Sequence, residues 1–493
     1  EREGTMDTIE PTSDLFDPER WGLPADAVAS LAERLHTLWT RFRPSFTTTT
    51  RDGSSHAWTY LRGVLTMTGK RTFANIARRV VAPTDDGQAL QQFMSDSPWS
   101  AQAVIAQVQA ELTATPALHH GGMLILDESA DAKAGLHSAG AARQWNGRLG
   151  KVDLCQVGVF LAFATETLWT WIDGELFLPE HWFAPTLATE RTRLGIPQGR
   201  QFATKVELGW QIIERVLASG VPFEVLLCDD LYGRSQWLRH QLRTAEVVYL
   251  ADVPADTQVY LRQPVVGVPV ARGRTGRPPT LRRVLNGVTP VEVQQGASRA
   301  DTLVRRFQVR ATERGVLSDA FAVRQVWTLH DGEVVAEWLV MRQEGGQATY
   351  ALSNAPPTTP AAQLVNWKCR RFGIECANHD AKSELGWGDF MAQKYVAWEH
   401  HLALTSLAGW FVAQTKTDWA TQHGRDGRLA EELGVTSLPA LSVANVRELL
   451  QAVMPLQQLS PEQARQLVAK HLVDRSRSTR SRLKAQLRER GPT

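Results

Sequence analysis

Three carboxylates, far apart in the chain, each stand where a side chain could hold a divalent cation. Asp127 follows the apolar run Met123-Leu124-Ile125-Leu126. Asp229 follows Val225-Leu226-Leu227-Cys228. Glu375 lies within Arg371-Phe372-Gly373-Ile374-Glu375. Mg²⁺ keeps most of its waters and needs only a few carboxylates. Two such ions about 4 Å apart stabilise the attacking and leaving oxygens of a phosphoryl displacement. On this reading Asp127 bridges two Mg²⁺ ions, for which Mn²⁺ substitutes, while Asp229 and Glu375 hold one each. Glu128 and Asp230 adjoin the first two acids. Adjacent side chains on a strand point to opposite faces, so the first acid after each run is taken as the ligand. Arg371, Glu375 and Lys382 fall at i, i+4 and i+11, which share one face of an unbroken helix. Arg371 and Lys382 would there hold phosphates. The competing reading is an exposed Arg371–Glu375 salt bridge, which contributes little.

The elements around these acids alternate in character. From Pro24 to about Leu112 the pattern is helical, with Val28, Leu31, Leu35, Leu38 and Trp39 on one face. Basic residues, among them Arg41, Arg62, Arg71, Arg78 and Arg79, are expected on its faces, and 72–79 suits a helix of a helix-turn-helix-like unit. Strands are predicted at 123–126, 156–164 and 168–178, then a helix over 204–219, a strand at 225–228, a helix over 235–244 and a strand at 247–253. This order matches an RNase H-like fold. Next comes a β-rich stretch, with strands at 259–270, 303–311, 320–328 and 333–342 and a hairpin turn at His330-Asp331-Gly332. A long helix is predicted over 360–386, another over 397–413, and a helical tail from Leu429 that ends in a cationic run at 475–484.

These readings give an α/β chain in five parts. They are a helical N-terminal DNA-binding domain (1–116), the first part of an RNase H-like core (117–253), a β-rich insertion domain (254–345), the second part of the core (346–415) and a helical, basic C-terminal region (416–493). With 493 residues, several domains are expected, and 43% hydrophobic content supplies real cores. The net charge of +2 does not mark a nucleic-acid binder by itself. Its placement says more: Arg274, Arg277 and their basic neighbours at 272–283 suit a phosphate track. Cys155, Cys228, Cys369 and Cys376 form no CxxC pair and read as reduced thiols. No stretch reaches the roughly 18 apolar residues of a membrane span, and the first residues lack a signal peptide's apolar core. A cytoplasmic protein is expected.

Longer motifs carry a resemblance. Leu126-Asp127-Glu128-Ser129 leads into Lys133-Ala134-Gly135-Leu136-His137-Ser138-Ala139-Gly140-Ala141-Ala142-Arg143-Gln144-Trp145, then Gly147-Arg148-Leu149-Gly150-Lys151-Val152 and Cys155-Gln156-Val157-Gly158-Val159. Cys228-Asp229-Asp230-Leu231-Tyr232-Gly233 and Ala381-Lys382-Ser383-Glu384-Leu385-Gly386 follow. Over roughly residues 58–415 the chain resembles DDE transposases of bacterial insertion sequences, in the branch with a β-rich insertion before the catalytic Glu. That family's last signature of Tyr, Arg, Glu and Lys is met by Arg371, Glu375 and Lys382, but Lys368 stands at the Tyr position.

The resemblance implies DNA chemistry. Water nicks one strand at an element end, the freed 3′-OH attacks the other strand to form a hairpin, a second water opens it, and the 3′-OH attacks target DNA. Hairpin formation displaces a base, often onto an aromatic ring, for which Trp327 and Trp338 are candidates against plain core packing. His137, Arg143 and Lys151 would line the DNA path, and His400 and His401 read as structural. The implied partners are terminal inverted repeats and target DNA, bound by a homodimer. Other classes fit less well. A phosphatase with an aspartyl nucleophile would show Asp two after the first, where Ser129 stands, and no GxxxxGK[ST] loop occurs. A nuclease without strand transfer would have the same metal site. A DNA-binding regulator without catalysis would not need all three acids.

Overall fold

The computed structural model describes residues 14–147, 149–270, 280–297, 304–312, 315–344, 346–435, 437–456 and 459–489. It is mixed α/β. Ten strands form one sheet: β1 (Met123–Ala132), β2 (Ala142–Asn146), β3 (Lys151–Ala164), β4 (Trp169–Phe177), β5 (Val225–Cys228), β6 (Tyr249–Val253), β7 (Val304–Thr312), β8 (Gly315–His330), β9 (Glu333–Glu344) and β10 (Gln347–Ser353). The order is β7-β8-β9-β10-β6-β5-β1-β3-β2, and β4 also pairs with β3. β1 runs parallel to β5, and β5 to β6, while β3 is antiparallel to both β1 and β4. Met123–Leu126 and Val225–Cys228 are wholly buried. Parallel strands covered on both faces require such continuous apolar runs.

Helices cover this sheet. Those preceding it include α1 (Leu31–Phe42), α2 (Ser54–Thr66), α3 (Phe73–Val80), α4 (Gln88–Asp96) and α5 (Ala101–Thr113). Between β4 and β6 lie α6 (Lys205–Ala218), α7 (Asp230–Gly233) and α8 (Gln236–Thr244). α6 starts on a capping box, Thr204 with Glu207. After the sheet come α9 (Ala361–Arg370), α10 (Gly373–His379), α11 (Tyr395–Gln422), α12 (Val443–Val453) and α13 (Pro461–Glu489). One continuous apolar core joins the N-terminal helices, the central strands and α11. No described helix is long and apolar enough to cross a membrane.

The predicted order of strands and helices from 123 to 253 holds, with β2, α7 and a short helix at Ala188–Arg193 added, and four further points go beyond the expectation. First, the β-rich stretch joins the central sheet. β10 pairs antiparallel with β6, so β7–β10 extend the central sheet. A buried carboxylate fastens the junction: Glu337 on β9 accepts a hydrogen bond from Tyr249 Oη on β6 at 2.6 Å and lies 3.6 Å from Arg239 on α8. The stretch keeps a small core of its own around Val326, Leu339 and Leu352. Its hairpin turn is as predicted, with Asp331 and Gly332 at φ 48° and 80°, the left-handed pair that such a turn demands.

Second, 259–270 is not one strand; it holds the short strands Gln258–Val259 and Val266–Gly267 and an isolated bridge from Tyr260 to Trp327. Third, 360–386 is not one helix. It breaks after Arg370, resumes as α10 and ends in a π turn at Asp380–Glu384. Tertiary contacts impose this. Arg371 is drawn to Asp252, and Arg71 donates to the carbonyls of Ser383 and Glu384 at 3.4 and 2.8 Å. Fourth, Arg71 is therefore no surface cation: it is buried, and it also caps the carbonyls of Val64 and Met67.

Candidate active site

The last ladder pairs of the three parallel strands are Leu126 with Cys228 and Cys228 with Ala251. The next residue on each strand is an acid: Asp127, Asp229 and Asp252. Three carboxylates thus sit in one row across β1, β5 and β6. Asp127 is not at a strand end as predicted, because β1 continues to Ala132 on its pairing with β3. Asp229 does end its strand, and its Oδ1 accepts from the N–H groups of Leu231 and Tyr232, capping α7.

The flanking acids point elsewhere. Glu128 forms an ion pair with Lys205 at 2.7 Å, and Asp230 pairs with Arg234 at 3.0 Å. This is the strand alternation that favoured Asp127. Burial, and next the charge of Asp229, push the Asp127 carboxyl up to about 7. Burial likewise lifts Asp229 to about 6, against the backbone N–H of Tyr232 and the Arg371 charge. Two carboxylates that resist ionising side by side make a site that gains by holding cations.

Asp252 is different. Its Oδ1 meets Lys368 Nζ at 2.6 Å and its Oδ2 meets Arg371 Nε at 3.2 Å. Lys368, with 4% of its side chain exposed, is locked to a strand acid rather than open to a phosphate. Burial opposes the Arg371 charge, but Asp252, then Asp127, Glu375 and Asp229, outweigh it. Arg371 is the cation at the centre of these acids. Sequence reasoning passed over Asp252, although the apolar run Val247–Ala251 before it is the signal that marked the other two.

Glu375 opens α10 and is 65% exposed, with Oε1 3.7 Å from Arg371 Nη2. Lys382 turns away from it, pairing with Asp131 at 2.9 Å and donating to the Ala130 carbonyl at 2.8 Å. Among the described residues no three His, Cys, Asp or Glu side chains are gathered closely enough to hold a metal ion together. His137, Arg143 and Lys151 are exposed. Trp327 and Trp338 are half-buried, and the Trp338 indole N–H donates to the Pro356 carbonyl at 3.2 Å. Arg274 and Arg277 lie outside the described residues. His400 and His401 are buried in α11, where His401 is stacked between Trp387 and Phe390. The four cysteines are free, and three are buried.

A family profile described as DDE superfamily endonuclease matches residues 41–316, more than half of the chain. The chain belongs to this endonuclease family. The matched stretch of the chain holds Asp127, Asp229 and Asp252 and stops before Glu375. A probable transposase for insertion sequence element IS701 of Microchaete diplosiphon is 27% identical over 185 residues, 37% of this chain and 44% of that one. The chain thus matches less than half the length of that relative. A cryo-electron-microscopy structure of the piggyBac transposase synaptic complex with hairpin DNA aligns over 91% of this chain and 84% of that chain. Its identity is 10% and its TM-score 0.36, too distant to bear on function.

Proposed function

We propose that this protein is a DNA transposase that cleaves element ends and joins the freed 3′-OH to target DNA, with Asp127, Asp229 and Glu375 as its catalytic acids. The reading rests most on one observation: Asp127 and Asp229 stand side by side in the strand-end row, with their carboxyls raised by burial and, for Asp127, by the other's charge. Hard carboxylate oxygens suit Mg²⁺ or Mn²⁺. Asp127 and Asp229 fit such ions as they stand, and exposed Glu375 completes the set by turning from Arg371. Bound there, two ions would supply charge stabilisation to the attacking and leaving oxygens.

The chain's own residues do the rest. Asp252 holds Arg371 beside the acids, where its guanidinium can hold a DNA phosphate. Lys382 ties α10's continuation to β1 through Asp131, which orients the segment bearing Glu375. The strand order β4-β3-β1-β5-β6, with α6 crossing between β4 and β5, supports an RNase H-like core. Cutting two ends together calls for two copies on DNA, and a hairpin intermediate is the expected route.

The test is incubation with Mg²⁺ and a duplex carrying the DNA that flanks the gene, run on a denaturing gel beside Asp127→Asn and Glu375→Gln. Double-length strands that vanish in both variants support excision through hairpins at these acids. Nicks or blunt breaks without hairpins leave a nuclease of a different pathway. Binding without cleavage in Mg²⁺ or Mn²⁺ refutes the catalytic reading in favour of a regulator.

A further inference from the structure

The strand pair that carries Asp127 does not stop at the acid row. β1 stays on β3 as far as Ala132, opposite Cys155, whereas its pairing with β5 ends at Leu126. β3 begins further out still, at Lys151, where β2 joins it over residues 151–155. Lys151 is nine residues before Phe160, the partner of Asp127. At roughly 3.3 Å per residue that is about 30 Å of strand. The β2–β3 hairpin is therefore an arm projecting past the acids.

Its two faces differ. Ala142 and Asn146 are buried on one side. On the other, Trp145 and Val152 pair directly across the strands and are 54% and 52% exposed, with Leu149 in the turn at 46%. Arg143, two residues from Trp145, shares that open face by strand alternation. Lys151, the ladder partner of Asn146, alternates to the other face but stands exposed at the edge of the turn. Among the described residues, neither the Arg143 nor the Lys151 side chain has a hydrogen-bond or ion-pair partner. The arm's acid, Asp153, turns its Oδ1 to the N–H of Leu154 at 2.9 Å. An exposed indole flanked by free cations is complementary to a polyanion with ring faces and sugars, not to an acid-free apolar partner.

We propose that this arm is a second contact for duplex DNA, in which Trp145 packs on the nucleic acid, Arg143 beside it holds a phosphate and Lys151 reaches one from the edge of the turn. The proposal rests on Asp127 and Asp229 marking the point of cleavage. The arm's reach of about 30 Å corresponds to about nine base pairs at roughly 3.4 Å each. That is close to one helical turn, so one face of the duplex meets both the acids and the arm.

Hydroxyl-radical footprinting of the full chain on the gene-flanking duplex tests this, in Ca²⁺ so that cleavage does not intervene. The expected result is a patch of protection about nine base pairs from the cut, separate from protection at the cut itself. Trp145→Ala erases the distal patch and weakens binding about tenfold, in the range of one lost stacking contact, while Trp145→Phe keeps both. Arg143→Gln with Lys151→Gln also erases the patch and flattens the salt dependence of binding. No distal protection in the natural chain, or an unchanged footprint in Trp145→Ala and in the double variant, overturns the proposal. Cleavage that survives Asp127→Asn would sink the active-site reading instead, and the footprint would still decide whether the arm binds DNA.

Discussion

Asp127 and Asp252 occupy the same row of the same sheet, yet replacing each by Asn should shift stability in opposite directions. Asp252 neutralises Lys368 at 2.6 Å and Arg371 at 3.2 Å. Asp252→Asn leaves the buried Lys368 ammonium without its carboxylate, and breaking such a pair costs about 3–5 kcal/mol. Arg371 keeps Asp127, Glu375 and Asp229 around it, so the lower end, about 3 kcal/mol, is expected. Asp127 instead carries a carboxyl raised from 3.8 to about 7. A carboxylate raised on folding opposes the folded state. The penalty is absent below the unfolded value near 3.8, grows between there and about 7, and is complete above it. At about 1.4 kcal/mol per unit it reaches at most about 4 kcal/mol. Asp127→Asn should therefore raise the melting temperature at pH 8 in EDTA, with the gain vanishing near pH 4. Asp252→Asn should lower it, and Lys368→Met should recover part of the loss by removing the stranded charge. Differential scanning fluorimetry of the four proteins across that pH range measures all of this. If Asp127→Asn destabilises at pH 8 as much as Asp252→Asn, the electrostatic account of the row is wrong.

Other consequences follow from single contacts. Glu337→Ala removes the acceptor of Tyr249 Oη and the partner of Arg239; hydrogen exchange in β8 and β9 should quicken, with a loss of about 3 kcal/mol. Gly233→Ala would set a Cβ 1.9 Å from the Asp252 carbonyl oxygen. It should destabilise by about 3 kcal/mol or more, seen as a lowered melting temperature. Burial lowers His401 from 6.5 to about 3. Its neutral ring thus contributes stability that is whole above about 6.5 and is lost as pH falls toward about 3. His401→Gln should blunt that acid dependence in a pH-resolved melt.

Much of this was legible because the signals were local. An apolar run followed by Asp reports a buried parallel strand that ends at water, and it marked Asp127 and Asp229 correctly as neighbours in space. His330-Asp331-Gly332 announced its turn for the same reason: two left-handed residues leave few choices of side chain. What escaped was set across distance. The helix predicted over 360–386 breaks after Arg370, where Arg371 meets Asp252, and ends in a π turn where Arg71, some 300 residues earlier, takes the carbonyls of Ser383 and Glu384. Lys382 lies in that π turn and pairs with Asp131, away from the Arg371 and Glu375 that its i+11 and i+7 spacing had placed beside it. Nothing in the residues of the β-rich stretch states that its strands will continue the central sheet through β10 and β6. Arg71 read as a surface cation because sequence shows charge but not the carbonyls that surround it.

The central claim is that the Asp127 carboxylate binds a catalytic cation during DNA cleavage. Replacing it by Cys changes the ligand from oxygen to sulfur, which Mg²⁺ disfavours and softer Mn²⁺ accepts better. Cleavage of the gene-flanking duplex by Asp127→Cys should vanish in Mg²⁺ and return in part in Mn²⁺, while Asp127→Ala stays inactive in both. Full activity of Asp127→Cys in Mg²⁺, or equal rescue of Asp127→Ala by Mn²⁺, would show that Asp127 does not hold the metal.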